Sequence, residues 1–155
     1  MVNNMALDLS IRDLQKSDHD RWKQLWTAYL RFYETNVSES VYVTAFESLT
    51  SKNKFEFQGI VAEQEGEIIG LAHFLFHRNL WSKQDTCYLG DLFVDPLIRG
   101  NGVGRRLIEE VSERAKMSNV SGIYWLTQEF NYKGRMLYDQ IAKKTQFIVY
   151  EKNYW

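Results

Sequence analysis

The chain predicts an α/β domain whose mixed, mostly antiparallel sheet is flanked by helices, in the order β-α-α-β-β-β-α-β-α-β. Three observations lead there. Apolar residues recur at helical spacing in the first third and again after residue 102. Three strand-like runs, 57–63, 68–76 and 86–94, follow one another with no helix between them. That meander excludes the strict strand-helix alternation of a doubly wound nucleotide fold.

Each element has a local reason. Residues 7–12 alternate, with Leu7, Leu9 and Ile11 on one side, and read as a short strand. Ser17 or Asp18 can cap the helix that follows, along which Trp22, Leu25, Trp26, Tyr29, Leu30 and Tyr33 fall at helical intervals. Ser38 or Ser40 can cap a shorter helix through Val43, Phe46 and Leu49. Residues 57–63 and 68–76 are strands joined by the turn Gln64-Glu65-Gly66-Glu67, and a polar loop over 77–85 carries Trp81. The strand over 86–94 is broken by Asp95-Pro96, the sole proline. A helix follows to about Ser118, then a strand over 122–127, a short helix over 133–143 and a final strand over 147–154.

Bulk properties narrow the function classes. A length of 155 residues suits one domain, 1–155, able to bury a proper core. A net charge of −1 gives no broad surface for nucleic acid or an anionic membrane, so neither is expected as a partner. The single cysteine, Cys87, rules out a disulfide framework and makes a reducing, cytoplasmic setting the expectation. Residues 1–14 lack the long apolar run of a signal peptide. His73 and His77 share a strand face but lack a carboxylate or thiol at ligand spacing, so no metal is expected. They read as packing or acceptor-site residues, and Cys87 as a buried apolar filler.

The most informative segment is Leu97 to Ile108, where a strand feeds a helix through Arg99, Gly100, Asn101, Gly102, Val103, Gly104 and Arg105. A helix N-terminus presents unpaired N–H groups and partial positive charge, and glycines let a bulky anion approach the backbone. The segment reads as a diphosphate cradle. A dinucleotide fingerprint fails because its third glycine falls on Arg105, and a P-loop fails for want of its second glycine and Lys-Ser/Thr pair. Asn101-Gly102 is also a hairpin signal, but Val103, Leu107, Val111 and Ala115 repeat every four residues, which is helical.

The pattern that does fit is R-x-x-G-x-G, as Arg99, Gly102 and Gly104. It resembles the acetyl-CoA pyrophosphate loop of the Gcn5-related N-acetyltransferase (GNAT) family, and the order of elements resembles that family from end to end. A second constellation agrees: Asn131 after the fifth strand, and Tyr138 seven residues on. Alone, Tyr138 would read as a core tyrosine. Within the family, the chain is most similar to a small subgroup of polyamine, histone and amino-acid acetyltransferases. Trp22-Lys23-Gln24-Leu25-Trp26, the 77–81 loop, Gly90 to Asp95 and Tyr124-Trp125 carry that likeness. One departure is Ala142, where the family usually has glycine.

The resemblance implies direct acetyl transfer from acetyl-CoA to a primary amine in a ternary complex. It implies that Arg99 to Arg105 hold the pyrophosphate, and that the pantetheine arm lies strand-like along Leu92, Phe93 and Val94. The N–H of Val94 or Phe93 would polarise the thioester oxygen. Asn131 would bond the cofactor and Tyr138 would protonate the leaving thiolate. Asp91 ranks first as general base, with charge anchoring of the substrate as its alternative role; Glu129 is the other acid. Glu34, Trp81 and Glu129 are expected at the acceptor site. A small amine, polyamine or amino acid, is the expected acceptor. The alternatives are a protein or histone lysine, or an acetyl-CoA sensor without turnover. A homodimer through the C-terminal strands is expected, because an aromatic edge strand tends to be covered.

Overall fold

The computed structural model describes residues 8–154, so Leu7 and the other six N-terminal residues, like Trp155, lie outside it. Strand β1 is Leu9–Asp13, followed by a single 3₁₀ turn at Lys16–Asp18, helix α1 at His19–Phe32 and helix α2 at Glu39–Thr50. Strands β2 (Gln58–Gln64), β3 (Glu67–His77) and β4 (Thr86–Val94) form the meander. Helix α3 is Val103–Met117, β5 is Ile123–Trp125 and α4 is Tyr132–Ile141. The sheet runs β1-β2-β3-β4-β5, antiparallel throughout except for the parallel β4–β5 pair.

The sheet divides two apolar layers. On one face, Trp22, Leu25, Trp26, Leu30, Tyr42 and Leu49 from α1 and α2 pack on Val61, Leu71 and Phe93. On the other, Val103, Leu107, Ile108, Val111 and Ala115 from α3 cover Ile60, Ala72, Phe74, Cys87 and Leu89. The four-residue repeat of α3 is thus its buried stripe, and each fully buried side chain there, such as Leu107, contributes about 1.5–3 kcal/mol.

Two irregularities shape the site. Pairing of β3 with β4 shifts between His73 and Phe74: His73 opposes Asp91 and Phe74 opposes Leu89, so Gly90 is an unpaired bulge. Pairing of β4 with β5 ends at Leu89–Trp125, one residue before that bulge. The extra residue re-aims the strand, so Leu92 and Val94 flank the α3 layer while Asp91 and Phe93 turn toward α1. Beyond Leu89 the two strands are unpaired, and the gap between them is a cleft.

The expected final strand over 147–154 is not formed. The segment pairs with no strand among the described residues, and Phe147, Ile148, Val149 and Tyr150 are exposed. Its alternation is strand-like, but a strand exists only with a ladder partner, and the segment is laid against neither edge strand, β1 or β5. The missing glycine at 142 is resolved without a left-handed cap: Ala142 is extended (φ −147°, ψ 179°), and its N–H closes the helix on the Tyr138 carbonyl.

Candidate active site

The loop between β4 and α3 is anchored before it reaches the cradle. The Arg21 guanidinium bonds the Asp95 carboxylate at 2.9 Å and the Ile68 carbonyl at 2.9 Å. Arg99 Nε donates to the Val94 carbonyl at 2.9 Å, and its guanidinium lies 5.1 Å from the Phe93 ring centre. Arg99 therefore acts first as a strut for the loop. Asn101 does the same through Nδ2, which donates to the Ile98 carbonyl at 3.0 Å.

Gly102 caps α3 in the left-handed region (φ 77°), which glycine adopts freely and other residues rarely. No side chain caps this end and no acidic residue sits in its first turn. The first helical bond formed at this end is from the Arg106 N–H to the Gly102 carbonyl, so the N–H groups of Val103, Gly104 and Arg105 have no intrahelical acceptor. A Cβ placed on Gly100 or Gly102 would meet nothing within 4 Å, so the space above the cradle is open to an anion. Gly104 lies where α3 approaches Val94 and Leu137, and Arg105 reaches Gln140 of α4 at 2.6 Å.

The N–H directions along β4 follow from its ladder. The Asp95 N–H donates to the Ile69 carbonyl at 2.8 Å. Antiparallel alternation turns Phe93 toward β3 as well, and Leu92 and Val94 away from it. The Val94 carbonyl, bonded by Arg99 rather than by β3, shows that direction. Of the two expected thioester donors, Val94 is the one whose N–H faces the open side.

The cleft itself is small, lined by Tyr29, Tyr33, Leu89, Gly90, Leu92, Trp125, Leu126 and Tyr138. Tyr138 is held against the Trp125 ring at 5.4 Å, and burial pushes its phenol up to about 12. Asn131 caps α4: its Oδ1 accepts from the Gly134 N–H at 3.3 Å and its Nδ2 donates to Thr127 at 3.0 Å. It thereby fixes the turn that carries Tyr138.

Asp91 stands on the other side of the Gly90 bulge. Its Oδ2 accepts from His73 Nδ1 at 2.8 Å and from Trp26 Nε1 at 3.2 Å. Trp22 Nε1 donates to His73 Nε2 at 3.0 Å, which calls for an imidazole protonated on Nδ1. Burial works against the Asp91 charge, but the hydrogen bond and charge attraction of His73, with hydrogen bonds from Tyr29 and Trp26, outweigh it and hold the carboxyl below its ordinary value. The carboxylate is thus ionised, and among the described residues no lysine or arginine is bonded to it. A second cavity, of about 420 Å³, opens in front of it between α2 and β4.

Glu34, Trp81 and Glu129, expected at the acceptor site, line neither cavity. Trp81 is 88% exposed and its nearest ring is Phe147, at 6.4 Å. Glu129 points outward, 4.0 Å from Lys144. The residues that do line the second cavity, Trp26 and the Val41/Ala45/Ser48 face of α2 among them, read in the sequence as ordinary helix positions.

The model of the acetyltransferase (GNAT) family matches residues 20–142, a span that holds the cradle, the bulge and Tyr138. The chain belongs to the GNAT family. Among its relatives, a D-amino-acid N-acetyltransferase of Saccharomyces cerevisiae is 31% identical over 99% of this chain and 94% of its own. An L-2,4-diaminobutyric acid acetyltransferase of Virgibacillus pantothenticus is 27% identical over 65% of this chain and 62% of its own. The fold is that of the aminoglycoside N-acetyltransferase AAC(6')-Iy solved with CoA, with a TM-score of 0.83, 16% identity and coverage of 98% and 99%. This GNAT chain is therefore an acetyl-CoA-dependent N-acetyltransferase, and it transfers acetyl to an amine. Among the described residues no helix is long and apolar enough to cross a membrane.

Proposed function

We propose that this enzyme acetylates the primary amine of a small molecule, an amino acid or a polyamine, by direct attack in a ternary complex. One observation carries the reading: the open α3 cradle, the outward Val94 N–H and Tyr138 meet at a single gap between β4 and β5, with the ionised Asp91 just across the Gly90 bulge from it. The activities for which the two relatives are named, both on amino acids, favour an amino acid. The confined cleft suits a small acceptor better than a protein lysine. A sensor without turnover would have no use for Tyr138.

The roles follow from the geometry. The N–H groups of residues 103–105 hold the pyrophosphate, with Arg99 and Arg105 adding charge at the rim. The pantetheine amides pair with the open edge of Leu92 and Val94, and the Val94 N–H polarises the thioester oxygen. The second lone pair of Asn131 Oδ1 accepts from the same arm. Acetyl-CoA supplies the activated acyl group. Asp91 meets the incoming ammonium; its depressed pKa makes it a weak base, so the proton leaves through water. Tyr138 stays protonated, with its hydroxyl on the leaving sulfur. A phenol at about 12 facing a thiolate near 8.5 makes complete proton transfer uphill by roughly 5 kcal/mol, so Tyr138 stabilises the sulfur mainly as a hydrogen-bond donor.

The same proposal places the enzyme in a reducing cytoplasm, where a lone buried Cys87 is stable, and makes it a homodimer. The exposed run Phe147 to Tyr150 is strand material without a partner, and β5 is the edge of the sheet. Pairing of one copy's 147–154 with the β5 edge of the other would cover both.

The first experiment is thiol release from acetyl-CoA against a panel of L- and D-amino acids, polyamines and a histone-tail peptide. Amine-dependent release with the small acceptors is expected. Release with the peptide alone would overturn the small-molecule reading, and binding of acetyl-CoA without any release would establish the sensor instead.

A further inference from the structure

The cavity in front of Asp91 is separate from the cofactor cleft and has its own chemistry. Its walls are Trp26, Val41, Ala45, Leu49 and Phe57, with the hydroxyls of Ser40, Thr44 and Ser48 along α2. Its volume, about 420 Å³, falls in the range of small-molecule sites, roughly 300–1,000 Å³. Among the described residues that line it, the carboxylates are Asp91 and Glu56, and no lysine or arginine is present. Asp91 lies against the sheet, a quarter of its side chain still accessible, whereas Glu56 is exposed in the loop before β2.

The floor of this chamber is built rather than incidental. Three residues converge on Asp91: His73 is 3% exposed, Trp22 is fully buried behind it, and Trp26 is 9% exposed. All the hydrogen bonds they make toward Asp91 come from N–H donors that bring no second carboxylate. The result is one fixed negative charge at the end of an apolar room. Gly90, which lines the cofactor cleft, packs directly on Phe57, which lines the chamber: a Cβ there would lie 2.9 Å from Phe57 Cε1, so the two spaces are neighbours across that contact.

We infer that this chamber is the acceptor-specificity pocket and that it takes an ammonium joined to an apolar body, either an amino acid with an apolar side chain or an arylalkylamine. The inference rests on the acetyl-transfer reading only for the fate of the ammonium. The ammonium meets Asp91 beside the bulge, and the apolar body lies against Trp26, Val41, Ala45 and Phe57. A polyamine is a poorer occupant, because its inner ammoniums would lie against those apolar walls, and the other carboxylate of the lining, Glu56, is exposed in the loop before β2 rather than set into the walls. An acceptor carboxylate finds no cation in the chamber, so it stays at the mouth.

The test uses phenethylamine, both enantiomers of phenylalanine, ethylamine and spermidine. Direct binding of phenethylamine is measured by calorimetry without acetyl-CoA, and kcat/KM is measured with it. Binding of phenethylamine is expected, weakened at least tenfold by Asp91→Asn. Ala45→Phe should lower the phenethylamine-to-ethylamine ratio of kcat/KM at least tenfold by filling the chamber. Thr44→Phe, at an exposed position on the same wall, replaces it if that variant does not fold, as judged by acetyl-CoA affinity. Spermidine should fall at least tenfold below phenethylamine or phenylalanine, whichever of the two sources the enzyme prefers. Spermidine as the best acceptor, or a wall variant that moves phenethylamine and ethylamine together, would overturn the inference while leaving acetyl transfer intact. Chamber-dependent binding of phenethylamine with no transfer to any amine would keep the pocket and sink the transferase reading.

Discussion

Replacing Gly102 by Asp and by Asn separates backbone from charge at the cradle. Both residues tolerate the left-handed conformation better than other side chains, and a Cβ at this position meets nothing within 4 Å, so each variant should fold. Asp at the cap of α3 is favourable to the helix itself, by about 0.3–1 kcal/mol, because that end carries partial positive charge. Against a bound pyrophosphate the sign reverses. One carboxylate about 5.5 Å from one phosphate charge, at an effective dielectric of about 20, costs about 3 kcal/mol. That corresponds to roughly a hundredfold or more in Kd between Asp and Asn, since the two differ in charge alone. The assay is calorimetric titration of acetyl-CoA into both variants beside a thermal melt. The Asp variant should bind far more weakly than the Asn variant while melting no lower. Equal affinity in the two would refute the assignment of the α3 N-terminus as the pyrophosphate site.

Other outcomes follow from the remaining features. Tyr138→Phe should lower kcat about 100-fold with little change in the KM for acetyl-CoA, since the hydroxyl acts on the departing sulfur; an unaltered kcat in single-turnover kinetics removes Tyr138 from the mechanism. Asp91 and Asp18 both have folded pKa values below the ordinary carboxylate value of about 3.9, so their stabilisation is complete above it and is lost as pH falls through the folded values. Acid unfolding curves should therefore be flatter below about pH 4 for Asp91→Asn than for the parent, and parallel curves would contradict that linkage. Sedimentation should show a dimer that Val149→Lys weakens, and a parent protein that stays monomeric at every concentration sinks the proposed strand exchange.

The chain by itself determined the order of elements from β1 to α4, because each is written in local periodicity: the four-residue stripe of α3 and the alternation of the meander survive in the folded protein. The open helix end proposed as the cradle was legible too, since Gly102 and the helix start after it are consecutive in sequence. What only the tertiary structure decided lies wherever distant residues converge. The 147–154 segment alternates like a strand, yet pairing is a property of two strands, and here it is paired to neither edge of the sheet. The Gly90 bulge is invisible in β4 alone, because a bulge is defined by its partner, the His73–Phe74 step of β3. Trp22, Trp26, His73 and Asp91 span 70 positions of chain and read separately as core and strand residues; only the packing of α1 on β3 and β4 makes them one hydrogen-bonded floor. Glu34, Trp81 and Glu129 were legible as loop residues, but a loop position says that a side chain is accessible, not which cavity it faces.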